Sequence, residues 1–312
     1  MSDVLSTIVL TGNELEIELP EQIFAGQPAL AMLTLHNHKE TLPSFSLRVK
    51  SDEKQEAQPV FCDPVYFPYV PRNAEARQRV ELLFPRRGLY RQDSFIIQTR
   101  FPFGFLEKWR RVDSPVEALV YPQVEPTEEF YEILPMVSGE MESMHRGRGH
   151  DLYAIRDYQS ADSARHVDWK ATARTGELKV REFAREDERQ VVLVLDPLIF
   201  PDGETSSPAA EQLERFERGV KLAACLAWHF YELDAEIEFR TEQLISPMAP
   251  SSETIWSTMR ELALIQPRVA APGESLLAKL PEEPHLFKII LTAQPRGTIP
   301  TQFWTTAYVI FM

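Results

Sequence analysis

Short runs in which apolar and polar residues alternate fill the first part of the chain. They are Leu15, Ile17 and Leu19; Leu30, Met32, Leu33 and Leu35; Phe45, Leu47 and Val49; and Val80, Leu82 and Phe84. Each run is bounded by Pro, Asn, Asp or Gly, and a period of two marks a strand with one buried face. Several such strands in succession predict an immunoglobulin-like β-sandwich over residues 1–125. Pro28, Pro43, Pro71, Pro85 and Pro102 fit strand ends and edges, where a missing N–H costs no ladder hydrogen bond.

The pattern changes in the last part of the chain. Val191–Leu195 is a continuous aliphatic run, as in a strand covered on both faces, and it stops at Asp196-Pro197. Leu213, Phe216, Val220, Ala224, Ala227 and Tyr231 recur at three and four, predicting a long helix from about 208 to 233. Ile237 and Phe239 follow as a strand, with Leu244-Ile245 as its expected hairpin partner. Ser251 or Ser252 is positioned to cap a helix running through Leu264, and strands are expected over 286–291 and 308–311. This order predicts an open, mostly parallel α/β sheet with one antiparallel edge over residues 191–312. The chain therefore reads as an α+β protein of two domains.

Composition bears on partners. Across 312 residues, 47 acidic and 33 basic side chains give a formal charge of -14, which argues against nucleic acid as a partner. Two cysteines, Cys62 and Cys225, are too few for a disulfide framework in a chain of this size and point to a reducing, cytoplasmic compartment. No stretch has the roughly 20 apolar residues of a membrane span, and the start has no basic-then-apolar leader pattern.

Charge and proline are unevenly distributed. Residues 1–140 hold 14 basic and 21 acidic groups with 13 prolines, and residues 191–312 hold 9 and 16 with 11 prolines. Residues 141–190 hold 10 of each charge and no proline. The middle belt is thus distinct from both flanks: 126–145 reads as a connector, and 146–190 as a segment packing at the domain junction.

Within that belt stand Arg156-Asp157-Tyr158, Asp162, Arg165, Asp168-Trp169-Lys170 and Ala173-Arg174. The combined spacing resembles the signature of the bacterial "domain of unknown function 58" family. Arg87-Gly88-Leu89-Tyr90, Pro102-Phe103-Gly104-Phe105 and Val120-Tyr121-Pro122 resemble its upstream landmarks, so the likeness covers roughly residues 20–200. Ala161 stands where the family usually has Gly, and the pair of membrane helices that opens many members is missing here. The resemblance implies a β-domain followed by a von Willebrand factor A-like α/β domain. It also implies a MoxR-type AAA+ ATPase as partner, other von Willebrand factor A-like proteins as further partners, and a place at the cytoplasmic membrane where the natural chain carries upstream spans.

A metal-binding A-type domain needs Asp-x-Ser-x-Ser after its first strand, because Mg²⁺ requires several hard oxygen ligands. Here Asp196 is followed by Pro197-Leu198-Ile199-Phe200, and Leu291-Thr292-Ala293-Gln294-Pro295 offers no second Asp. Asp196 therefore reads as a degenerate metal position, a turn residue or cap, and no cofactor is expected. Cys225 and His229, four apart and facing away from the apolar stripe with Lys221 and Glu232, are too few for a zinc site.

The middle belt has two readings. Asp157, Asp162, His166, Asp168 and Lys170, with Tyr153 and Tyr158 nearby, could serve a hydrolase with His166 as general base. No nucleophile elbow or phosphate loop accompanies them. The favoured reading is a network in which Arg156, Arg165 and Arg174 pair with Asp157, Asp162 and Asp168 and Trp169 anchors the junction. The segment 146–150 reads as a loop, with anion sensing at Arg146, Arg148 and Lys170 as a weaker option. The leading expectation is a non-enzymatic interaction or assembly factor. If the network holds the belt, Arg165→Ala will lower the melting temperature, as scanning fluorimetry would record; an unchanged value would refute it.

Overall fold

The computed structural model describes residues 2–52, 63–101, 104, 107–148, 154–157, 172, 177–182, 190–200 and 210–312, with only the backbone for 2–5, 140–148, 154–157 and 180–182. The protein is mixed α and β with many strands and divides into two compact units. One holds residues 1–124 with 259–265, the other 125–258 with 266–312.

The first unit begins with helix α1 (Ser2–Leu10) and continues through β1 (Asn13–Glu18), β2 (Ile23–Phe24), β3 (Pro28–Asn37), β4 (Ser44–Ser51), β5 (Val65–Val70), β6 (Ala74–Leu83), β7 (Gly88–Thr99) and β8 (Lys108–Tyr121). These form a three-stranded sheet, β1-β3-β6, and a five-stranded sheet, β2-β8-β7-β4-β5. Inward residues of both sheets, among them Leu33, Leu35, Leu82, Leu47, Val49, Phe67, Phe95 and Ile97, fill one continuous core. The sandwich expected from the alternation is therefore present. One strand is phased differently: Ala29, Ala31, Leu33 and Leu35 face inward on β3, and Leu30 points out, 66% exposed. Two small alanines outrank a leucine here because a one-residue slip would turn the rest of the strand inside out.

Proline placement follows the ladder. Pro28 opens β3 and Pro68 lies in the edge strand β5. Pro115 lies in the interruption between the Gln92–Val116 and Ser94–Asp113 pairs, a β-bulge in the β7–β8 ladder. Gly88, with φ at 128°, holds a conformation closed to other residues at the start of β7. Tyr90 then donates its hydroxyl to Arg86 O at 2.8 Å and packs edge-on against Phe84, so the Arg-Gly-Leu-Tyr landmark is a turn lock.

Lys39 ties α1 to the sandwich. Its Nζ donates to Thr11 O at 2.8 Å, Val9 O at 3.2 Å and Ser44 Oγ at 2.7 Å, satisfying carbonyls at the helix end. Asn13 Nδ2 adds bonds to Val9 O at 2.7 Å and Leu10 O at 2.9 Å. A lysine beside a serine can form a catalytic dyad, but Ser44 is fully buried and donates to Asn13 Oδ1 at 2.9 Å, so this pair is structural.

The second unit starts with α2 (Glu128–Arg148), followed by an antiparallel pair of strands, β9 (Ala154–Asp157) and β10 (Lys179–Glu182). The stretch read as a connector, 126–145, is thus mostly helix, and 146–148 continue that helix instead of looping. Glu128 and Glu129 in its first turn favour this start through the helix dipole, and Pro135 lies inside the helix. Next come β11 (Gln190–Leu195), β12 (Leu198–Ile199), α3 (Ala210–Glu232), β13 (Glu236–Arg240), β14 (Ala249–Pro250), α4 (Ser251–Leu264), β15 (Arg268–Val269), β16 (Phe287–Thr292), α5 (Phe303–Thr306) and β17 (Ala307–Phe311).

Five strands form one sheet in the order β14-β13-β11-β16-β17. All neighbours are parallel except β14, which runs antiparallel to β13 at one edge. The antiparallel partner is Ala249–Pro250; Ile245 makes only an isolated bridge to Arg240. Ser251 does not use its hydroxyl as a cap but donates it to Phe230 O at 3.3 Å, joining the start of α4 to the end of α3. Along α3, buried residues run almost without a break from Gly219 to Ala227. One side of the helix meets the sheet and the other meets α2. Cys225 is buried, with Sγ 3.4 Å from Glu125 O, and His229 meets the Phe130 ring edge-on at 5.7 Å. The sequence reading that placed this pair on an outer face is therefore wrong, because it did not foresee α2.

Burial lowers the Lys39 pKa to about 8, with Arg110 nearby as the lesser cause. The native protein then releases this proton more readily than the unfolded chain does, so Lys39 disfavours folding below pH 8 and less so as pH rises from 8 towards 10.5. Unfolding in urea should show wild type gaining stability relative to Lys39→Met over that range.

Candidate functional site at the carboxyl ends of the parallel strands

In an open α/β sheet, ligands bind beyond the carboxyl ends of the strands, where successive connections leave a central strand in opposite directions. Here that strand is β11: the chain passes to β13 on one side and later returns as β16 on the other. Directly after β11 comes Asp196, which has no exposed surface.

Asp196 is held from both sides. Its Oδ2 accepts the Thr292 hydroxyl at 2.7 Å, and its Oδ1 accepts Leu198 N–H at 3.1 Å. Thr292 Oγ1 in turn accepts Gln294 N–H at 3.0 Å. The Gln294 side chain accepts from Ser275 Oγ at 2.7 Å and donates to Thr298 O at 2.8 Å. Thr241, after β13, receives Gln243 and Leu244 N–H on its buried hydroxyl at 3.3 and 3.1 Å. Each polar group at these strand ends closes a loop onto the sheet. Burial raises the Asp196 pKa to about 6, more than the Thr292 and Leu198 bonds lower it.

Arg268 stands beside this floor between two carboxylates. It donates to Glu242 at 2.5 and 3.2 Å and to Glu274 at 2.8 and 3.0 Å. These two-pronged contacts join the loop after β13 to the segment before 275, and the β12–β15 pairing adds a second tie. Hydrogen bonds from Arg268 hold the Glu274 carboxyl down at about 2. Ile245, in the turn after β13 that also carries Glu242, is 68% exposed, so this loop presents an apolar residue as well as charge.

These residues do not suit a hard cation. Asp196 and Thr292 are the donors at the floor, the next side chains on β12 are Leu198 and Ile199, and both Asp196 oxygens already accept hydrogen bonds. Among the described residues, no three of His, Cys, Asp and Glu gather as a metal site. Burial also raises the Cys225 pKa to about 11, which disfavours the thiolate that nucleophilic attack needs.

The belt residues singled out from sequence fall mostly beyond this picture. Arg156 and Asp157 lie on β9, in register with Val180 and Lys179 of β10. Tyr153, Tyr158, Asp162, Arg165, His166, Asp168, Trp169, Lys170 and Arg174 lie outside the described residues, as do Phe61, Cys62, Phe103 and Phe105. Sequence reasoning identified Asp196 but missed Thr241, Arg268 and Gln294. The available signal was a Thr ending or directly following an apolar strand run, at both Phe239-Arg240-Thr241 and Leu291-Thr292.

Residues 154–281 match the family described as "Protein of unknown function DUF58", which supports the likeness carried by the motif. No curated protein matches this chain. Among solved structures, the CARDB domain of a Pyrococcus furiosus protein, determined by NMR, is 11% identical over 33% of this chain and 94% of that one, with a TM-score of 0.21. A crystal structure of the same domain in complex with di-metal ions gives 11%, 33%, 86% and 0.20. A β-glucosidase from Listeria innocua in complex with glucose gives 15%, 33%, 16% and 0.18.

Native Asp196, with a pKa near 6, keeps a proton that the unfolded chain releases near 3.8. Its contribution to stability is therefore best below pH 4 and falls as pH rises through 6, by about 3 kcal/mol in all. Asp196→Asn removes this dependence. Urea unfolding at pH 4 and pH 7.5 should show the wild-type-minus-Asn difference shifting towards Asn, whereas a constant difference would mean that Asp196 titrates normally.

Proposed function

We propose that this chain is a non-enzymatic interaction or assembly factor working with a MoxR-type AAA+ ATPase. In this reading the second unit is a von Willebrand factor A-like domain with a degenerate metal position, and the first is immunoglobulin-like. The DUF58 match over 154–281 and the belt motif support the family side of the reading. The parallel order β13-β11-β16-β17 with an antiparallel edge is compatible with the domain assignment.

The observation that carries the proposal is the closure of Asp196. Where an active α/β site would present a reachable group, the carboxyl has no exposed surface and is bonded to Thr292 and Leu198 N–H. Among the described residues, the loops at the same end of the sheet carry the exposed Ile245 and the Glu242–Arg268–Glu274 clamp. An exposed aliphatic side chain together with fixed charges in the loops at one sheet end suits protein recognition, in which apolar contacts supply affinity and charges supply orientation.

The test is retention of the intact protein on an immobilised MoxR-type AAA+ ATPase from the same source, with and without ATP. Retention is expected in at least one nucleotide state and should weaken with Ile245→Asp. No retention in either state refutes the ATPase partnership.

A further inference from the structure

The outward face of the five-stranded sheet in the first unit carries side chains that its core does not use. Strand register sets Tyr66 of β5, Arg48 of β4, Gln98 of β7 and Trp109 of β8 in one row, with Lys50, Ile96 and Arg111 in a second row on the same face. With strands about 4.8 Å apart, the first row spans about 14 Å. Trp109 is 60% exposed and Tyr66 46%. The Arg48 guanidinium lies over the Tyr66 ring, 5.8 Å from its centroid. Arg111 is partly neutralised by the buried Asp52 carboxylate at 2.7 Å. Neither row contains a carboxylate, although the chain as a whole carries a charge of -14.

We propose that this face docks an extended, acidic segment of a partner protein. Its carboxylates would meet Arg48 and Lys50, and its apolar side chains would lie on Trp109 and Tyr66. Charge complementarity selects this occupant: a basic, aromatic strip on an acidic body attracts a short acidic segment and repels broad contact with an acidic surface. Aromatic and Arg side chains are also those that most often dominate protein interfaces. A polynucleotide fits less well, since tight binding uses roughly six to ten phosphate contacts and this face offers Arg48 and Lys50 with Arg111 already engaged. The inference concerns a surface separate from the strand-end rim and does not depend on the ATPase partnership.

Fluorescence anisotropy of a fluorescein-labelled glutamate–tyrosine copolymer, titrated with the intact protein, tests it. Saturable, salt-sensitive binding is expected, weakened about tenfold or more by Arg48→Glu and separately by Trp109→Ala. Both positions are exposed, so melting temperatures should be unchanged. Absence of binding, or binding indifferent to both substitutions, overturns the proposal. It is also overturned if an oligo-dT binds more tightly and loses affinity in the same variants, which would assign the face to nucleic acid. Concentration-dependent dimers in sedimentation that both variants abolish would assign it to a second copy instead.

Discussion

The second unit depends on a strand with no solvent face. Val191–Leu195 is buried at every position and paired in parallel on both sides, so both surfaces of the sheet must be covered. On one surface α3 provides the cover, itself backed by α2. On the other, Leu276, Leu277, Leu286, Ile299 and Phe303 pack against Val192, Val194 and Ile290. The same constraint decides the fate of Asp196. A carboxylate ending a fully enclosed strand is buried with it, and Thr292 of the adjoining strand supplies the hydrogen bond that makes this tolerable.

One surface of this sheet is more polar than strand patterning anticipates. Glu238 and Arg240 of β13 are buried on the side of Val192 and Val194, and Lys288 of β16 joins them in register. Arg240 pairs with Glu238 and with Glu283 at 2.8 Å, and Lys288 Nζ donates to Glu283 O at 2.8 Å. Two acids and two bases thus neutralise each other, three of them buried and Glu283 partly exposed. Arg240 Nη1 has no partner among the described residues. Such clusters contribute little net stability compared with an apolar equivalent, and removing one member is costly because the others stay buried. Their effect is directional, aligning the segment around Glu283 over the sheet.

Much of the architecture was legible from periodicity. The aliphatic run at β11, the helix spacing of α3 and the alternation in β1, β4 and β6 each encode burial locally, and the structure places them accordingly. What was not legible depended on distant partners. Cys225 and His229 look solvent-facing on a helical projection until α2 is laid against them. Glu238, Arg240 and Lys288 look like surface charges unless Glu283 and the covering segment are known. At the strand ends Asp196 was identifiable as a carboxylate after an apolar run, but its closure required Thr292, 96 positions away. Leu30 shows the limit of hydrophobicity alone, since the phase of β3 is set by the residues on either side of it.

The prolines have a consequence beyond local geometry. Pro68 lies in the outermost strand β5, and Pro250 lies in the two-residue strand β14 at an edge of the other sheet. A proline has no hydrogen to offer an incoming backbone, so a ladder that tries to grow from one molecule into the next loses a rung there. At these two borders the prolines therefore oppose pairing with the strand of a second molecule, whereas the edge strands β1, β6 and β17 carry none.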